Sequence, residues 1–311
     1  MKKLERVNTV LRGDSPDRAP MSCWYHFGHQ FLPGEKFAEL VCAFFDYYDF
    51  DWLKVMNDYF YPMPKGMTAL KSAADLKKLT PFEIEQSPLN EQLKALRLIQ
   101  HHLTDRAYFV DTVFDPYQAL QRSPVGQHLP VLIEEQPQAV LDALDVVTDN
   151  LIAYAKKSLA AGAAGIFVSI LGSKEHMTRD DFLRFVKPFA MRLFEAVKDD
   201  GPMNTLHVHG HHIDTDNVLD FPVSIISWED RVPDNPSLQE MKDRFAGCVM
   251  GGIDNTVVTR HTPEYLMDMV REGMAMGGTT RFFLANGCSI PGSMSPFALK
   301  CMVEAAQGIR E

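Results

Sequence analysis

Short apolar runs alternate along this chain with longer segments in which apolar residues recur every three or four positions. Eight runs read as strands: 18–24, 51–56, 107–113, 165–171, 204–209, 223–228, 248–252 and 281–285. Most are apolar on both pleat faces, as strands buried on two sides are. Helical periodicity fills the gaps, most clearly over 35–48, 89–103, 140–160 and 179–198, then over 238–245, 263–276 and 295–308. Thr178 reads as an N-cap with Asp181 at the third helical position, and Thr262-Pro263 as a cap followed by proline in the first turn. This alternation predicts an α/β fold, a (β/α)8 TIM barrel. It would span residues 1–311 as a single domain with a short N-terminal helical extension. An open doubly wound sheet is the main competitor, weakened because no glycine-rich dinucleotide turn follows the first strand.

Composition narrows the partners. Hydrophobic residues make up 46% and charged residues 23%, so a core of this size needs no disulfide staples. The five cysteines are scattered and form no CxxC pair, which points to a reducing compartment. Lys and Arg total 31 against 41 Asp and Glu, a net charge of -10 with no basic run. Nucleic acid and anionic membranes are therefore poor partners. No apolar core of signal-peptide length and no stretch long enough for a membrane span is present, so a cytoplasmic location is expected.

In a barrel of this kind chemistry gathers just past the carboxyl ends of the strands. Polar residues crowd those positions: Tyr25, His26 and His29 after the first run, Asp58 after the second, and Asp115 and Tyr117 after the third. Trp228, Glu229 and Asp230 close the sixth, Asp254 follows the seventh, and Asn286 and Cys288 follow the eighth. Leu206-His207-Val208-His209-Gly210 is the most informative segment. A strand's period of two points His207 and His209 the same way, which suits a divalent metal, and His211 and His212 extend the cluster. Cys288, in a turn bounded by Gly287 and Pro291, is the candidate third ligand. Two nitrogens and one thiolate leave a coordination position open, as catalytic zinc sites do. Against this stands the plainer reading of two loop or core histidines and a small buried cysteine.

Three segments carry a family resemblance: residues 206–210, Val249-Met250-Gly251-Gly252-Ile253-Asp254, and residues 286–292. Together they resemble the late signatures of the uroporphyrinogen decarboxylase superfamily. Ser173-Lys174-Glu175-His176-Met177-Thr178, leading into 182–189, resembles its mid-chain region. The resemblance covers nearly the whole chain and implies a (β/α)8 barrel. True decarboxylases of the superfamily carry an RxxGR motif after the first strand. Here Tyr25-His26-Phe27-Gly28-His29 puts Tyr25 and His29 where the arginines stand. Neutral groups do not replace guanidinium clamps on carboxylates, so efficient decarboxylation of uroporphyrinogen is not expected. Asp58 resembles the decarboxylase aspartate that faces pyrrole nitrogens, and reads equally well as a turn-capping loop aspartate.

The second branch comprises zinc methyltransferases that pass a methyl group between a corrinoid protein and a thiol such as coenzyme M. Their motif is similar to H-x-C with a late cysteine. His207 and Cys288 match, while His209 departs by standing where the first cysteine is usual. That substitution leaves one less negative charge around the metal. Glu229, with Asp230 as alternate, matches a carboxylate that can fill the open position, and reads equally as part of a solvated group with Arg231.

The leading expectation is therefore a zinc-dependent methyltransferase, with His207, His209 and Cys288 on the metal and Asp58 and Glu229 as catalytic carboxylates. Tyr25, His26, His29, Tyr117, Trp228 and Asn286 would bind substrate. A small thiol would be the substrate, a methylcorrinoid the methyl donor, and a corrinoid protein a candidate partner. A decarboxylase-like lyase built on Asp58 and His26 is one alternative. A noncatalytic tetrapyrrole or corrinoid binder is another.

Overall fold

The structure is a computed structural model and describes residues 1–28 and 32–309. Seven strands form one parallel sheet in chain order: β1 (Trp52–Val55), β2 (Tyr108–Phe114), β3 (Ile166–Ile170), β4 (Thr205–Val208), β5 (Ile225–Trp228), β6 (Cys248–Ile253) and β7 (Phe282–Asn286). Helices precede β1 and occupy most of the crossovers, the longest being Gly34–Tyr48, Leu89–Leu103, Pro137–Ala160 and Pro263–Gly277. The architecture is a curled, TIM-like α/β sheet wrapped by helices. No helix among the described residues is long and apolar enough to cross a membrane.

The period of two sorts each strand between two cores. Leu53, Val55, Ile166, Val168, Leu206, Val208, Ile226 and Trp228 pack toward the helices. Trp52, Met56, Val110, Phe167, Ile225, Met250 and Phe283 fill the concave side. The helix Lys3–Leu11 closes the amino end of that interior with Val7 and Val10. At Gly252 (φ +95°) the backbone runs against Gly273 of the Pro263–Gly277 helix. A Cβ on Gly273 would lie 2.5 Å from Gly252 O, so only glycine allows this approach.

Two expectations need correction. Residues 18–24 form no regular strand; Met21 makes a single parallel bridge to Leu284. Pro20 has no N–H to give, Met21 N donates to Asp51 Oδ2 at 2.8 Å, and Trp24 N donates to Asn286 Oδ1 at 3.2 Å. Side chains thus take the place of a ladder, and the segment bonds both sheet edges. Ser22 N donates to Leu284 O at 3.2 Å, and Asp51 N donates to Met21 O at 2.9 Å. The expected helix 179–198 begins at its Thr178 cap but widens into a π turn over Phe182–Val186 before resuming as Lys187–Glu195. Pro188 cannot donate in the helical ladder, and the wider turn accommodates its ring.

Candidate metal centre

The strand period turns His207 to the concave side, opposite Leu206 and Val208. His209 lies one residue past β4, its N–H held by Ile170 O at 3.0 Å. Cys288 stands in the loop after β7. There Asn286 Nδ2 donates to Cys288 O at 2.7 Å and Cys288 N donates to Asn255 Oδ1 at 3.0 Å. One ligand atom from each of His207, His209 and Cys288 lies within 4.8 Å of the others, a grouping able to hold a metal ion. Cys288 Sγ is 3.5 Å from His209 Nδ1. His207 Nδ1 faces Ser227 Oγ on β5 at 3.3 Å, which leaves Nε2 for the shared point. Ligands of a tetrahedral zinc stand about 3.3–3.8 Å apart, so the donor set fits after only small shifts.

Burial governs the charges here. It holds His207 well below the ordinary histidine value, with His209 and Lys54 adding to the effect. His209 is lowered as well, mainly by burial, with Glu229 opposing. Burial, and then the charge of Glu229, pushes the Cys288 thiol up to about 11. The histidines are therefore neutral and ready to ligate, whereas the thiol keeps its proton until a cation displaces it.

The triad lines a cavity of about 80 Å³ together with Trp24, His26, Lys54, Thr112, Phe114 and Arg122. Lys54 of β1 is 5% exposed and has no carboxylate partner among the described residues; its Nζ meets Thr112 Oγ1 at 3.0 Å and lies 4.4 Å from the Phe167 ring centroid. Desolvation pushes this amine down to about 7. Arg122 stacks on Phe114, 4.0 Å from the ring centroid, and no described residue hydrogen-bonds its guanidinium. A second cavity of about 40 Å³ adjoins the first, sharing Thr112, Phe114 and Arg122, and Asp58, Tyr61 and Tyr154 line it. Asp58 Oδ1 is 2.6 Å from His26 Nδ1, while its Oδ2 is buried without a partner.

The expected residues divide clearly. His207, His209, Cys288 and His26 face one cavity, with Asp58 joined to it through His26. Glu229 is buried behind Cys288, its Oε1 accepting from Asn255 Nδ2 at 3.1 Å. Its neighbour Asp230 turns away to accept from Gly252 N at 2.9 Å, and Arg231 pairs instead with Glu272. The solvated Glu229–Asp230–Arg231 group does not form. The cavity walls do not include Trp228, Tyr117, Tyr25 or Asn286. Trp228 alternates with Ser227 and so joins the helix-facing core, its Nε1 donating to Pro236 O at 2.8 Å. Tyr117 is buried beside the Asp115 cap of its helix. Tyr25 packs on Phe27 and Phe44. Asn286 works from behind, donating to Trp24 O at 3.2 Å as well as to Cys288 O. His29 lies outside the described residues.

Sequence reasoning passed over Lys54, Arg122, Asn255 and Ser227. Lys54 carried a signal, a lone charge inside the apolar run Trp52-Leu53-Lys54-Val55-Met56. Ser227 was implied by the period that placed His207. Arg122 and Asn255 sit in loops and carried none.

Comparison with known proteins bears on this geometry. The family model for uroporphyrinogen decarboxylase (URO-D) matches residues 60–309. A uroporphyrinogen decarboxylase of Anaeromyxobacter sp. (strain Fw109-5) is 26% identical over 205 residues, covering 63% of this chain and 56% of that protein. One from Geobacillus thermodenitrificans (strain NG80-2) is 28% identical over 127 residues, 40% of this chain and 34% of that protein. The chain thus spans 56% of the length of the first curated relative and 34% of the second. In fold it is similar to a methyltransferase from Methanosarcina mazei, with a TM-score of 0.81 at 16% identity over 99% of both chains. The family match extends over most of the sequence, from residue 60, just past Asp58, to the last helix, and on that ground the chain belongs to the uroporphyrinogen decarboxylase (URO-D) family.

Proposed function

We infer that this protein is an enzyme that transfers a methyl group between a methylcorrinoid and a small thiol, with zinc at His207, His209 and Cys288. The convergence of those three side chains within 4.8 Å, above the carboxyl ends of a parallel sheet, carries the reading. The fold likeness to a methyltransferase supports it, as does membership of the URO-D family. In this reading residues 20–24 stand in the eighth strand's place.

Bound zinc would supply Lewis acidity that makes the thiol proton easy to lose near neutral pH. His26 is placed to take that proton, because Asp58 fixes its Nδ1 and its ring lines the cavity. The sulfur then attacks the methyl carbon as the bond to the donor breaks, and the electron pair of that bond leaves with the donor. Glu229, held by Asn255 behind Cys288, acts on the site through its charge, and a small shift would make it a further metal ligand. Transfer in the opposite direction uses the same groups.

A second reading, a lyase acting on a substrate other than uroporphyrinogen, draws on the buried, unpartnered Asp58 Oδ2 and on the decarboxylases among the relatives. Elemental analysis of protein purified without chelators, together with transfer from methylcobalamin to a thiol, separates the two. About one zinc per chain with thiol-dependent demethylation supports methyl transfer. Metal-free protein inactive toward methylcobalamin even after zinc addition overturns it. A corrinoid or tetrapyrrole binder without catalysis would hold methylcobalamin and never turn it over.

A further inference from the structure

Two polar groups near the candidate metal centre keep unused hydrogen-bonding capacity among the described residues, and their signs are opposite. Asp58 is 7% exposed; its Oδ1 is committed to His26 and its Oδ2 has no hydrogen-bond partner among the described residues. A buried carboxylate oxygen in that state costs free energy until a donor reaches it. Arg122 presents a guanidinium whose flat face rests on Phe114 and whose N–H groups meet no acceptor among the described residues. Such a fork is shaped for a carboxylate. Arg122 is close enough to feel the charges of both Asp58 and Cys288. It also lines both cavities, the one holding Asp58 and the one holding His207, His209 and Cys288. Moving out from the three metal ligands, a bound molecule therefore meets a cationic donor and then an anionic acceptor.

We propose that the small-molecule substrate is a zwitterionic amino-acid thiol. Its carboxylate lies on Arg122, its ammonium on Asp58 Oδ2, and its sulfur at the point shared by His207, His209 and Cys288. The assignment of the sulfur rests on the metal-held thiol reading above; the two charged contacts do not. An acid without an amine leaves Asp58 Oδ2 unsatisfied, and an amine without an acid leaves Arg122 so.

The test uses the full chain loaded with cobalt(II), titrated with four thiols and followed by the sulfur-to-cobalt absorption band. The thiols are homocysteine, 3-mercaptopropionate, cysteamine and 2-mercaptoethanol. Homocysteine should bind about tenfold or more tightly than each of the others, because each of them forfeits at least one charged hydrogen bond. Asp58→Asn should erase its advantage over 3-mercaptopropionate, and Arg122→Gln its advantage over cysteamine. Selectivity in the unmodified protein decides the matter even where a variant folds poorly. Equal affinity for homocysteine and 3-mercaptopropionate overturns the proposal while leaving the metal-held thiol intact. If no thiol produces the band, the metal-held thiol reading falls. Calorimetry with homoserine then decides the charged contacts alone: binding lost in both variants sustains them, and absence of binding to the unmodified protein overturns them.

Discussion

Asn255 holds Cys288 in place: its side-chain oxygen accepts the Cys288 N–H at 3.0 Å while its amide donates to Glu229 Oε1 at 3.1 Å. One side chain thus fixes both the candidate thiolate ligand and the carboxylate behind it. Asn255→Ala should weaken zinc binding by about 10- to 100-fold, the usual effect of losing a group that orients a ligand. Competition against a chromophoric chelator measures this, and unchanged affinity would count against Cys288 as a ligand.

Zinc affinity should rise with pH, and the sign follows from the protonation states. Both histidines are held below their ordinary value and are neutral near pH 7, whereas the Cys288 thiol is raised to about 11. Metal binding must therefore release one thiol proton, and affinity should climb about one decade per pH unit between roughly pH 7 and 10. Cys288→Ser should flatten that slope and remove most bound zinc. The melting curve of the metal-free protein should stay almost unchanged, since an extensive apolar core, not the metal, holds the fold.

Stability near neutrality should depend on Asp230. Burial raises its carboxyl to about 7, and Oδ2 has no partner among the described residues. The native state therefore binds this proton more tightly than the unfolded chain does. Stability on this account is full below the unfolded aspartate value near pH 4 and falls as pH rises to about 7, by up to about 4 kcal/mol. Asp111 and Asp115 are raised by burial too, so the informative quantity is a difference. Urea unfolding of Asp230→Asn should lose less stability between pH 4.5 and 7.5 than the unmodified protein. Parallel profiles would refute the assignment.

Asp51 anchors the amino-terminal segment. It is 1% exposed and accepts from Arg6 Nη1 at 2.7 Å, from Arg18 Nη1 at 2.5 Å and from Met21 N at 2.8 Å. Asp51→Ala leaves Arg6 to Asp17 alone, takes the carboxylate from Arg18 and strands one buried N–H, and should cost about 3–5 kcal/mol in denaturant unfolding. A loss under about 1 kcal/mol would mean that water takes over these contacts readily.

What the sequence made legible follows from what repeats in it. The seven observed strands all lie on expected runs within two residues, because strands buried on both sides must be continuously apolar. The His207–His209 pair was legible through the same period of two. That period, carried on through Ile225-Ile226-Ser227-Trp228, would also have placed Trp228 among the helix-facing residues and Ser227 beside His207. Residues 18–24 misled because an apolar run states burial and does not state which groups satisfy its backbone. There the partners are Asp51 and Asn286, both remote in sequence. Arg122 and Asn255 were illegible for a related reason: each earns its place through loop geometry that no local pattern encodes.

The bonds between Trp24 and the Asn286 side chain join positions 262 residues apart. A chain emerging from the ribosome amino end first exposes residues 20–24, and the interior they cover, long before their second anchor exists. Cys288, two residues beyond that anchor, arrives when His207 and His209 have already been waiting for about 80 residues of synthesis, some seconds at typical rates. Closing so distant a contact is slow and comes late. If the proposed zinc site is right, the two histidines offer only a bidentate, weak metal site during translation, and Cys288 is delivered by the same event that seats the first segment. Metal capture and completion of the fold would then coincide in time, and a nascent chain stalled before β7 would have neither.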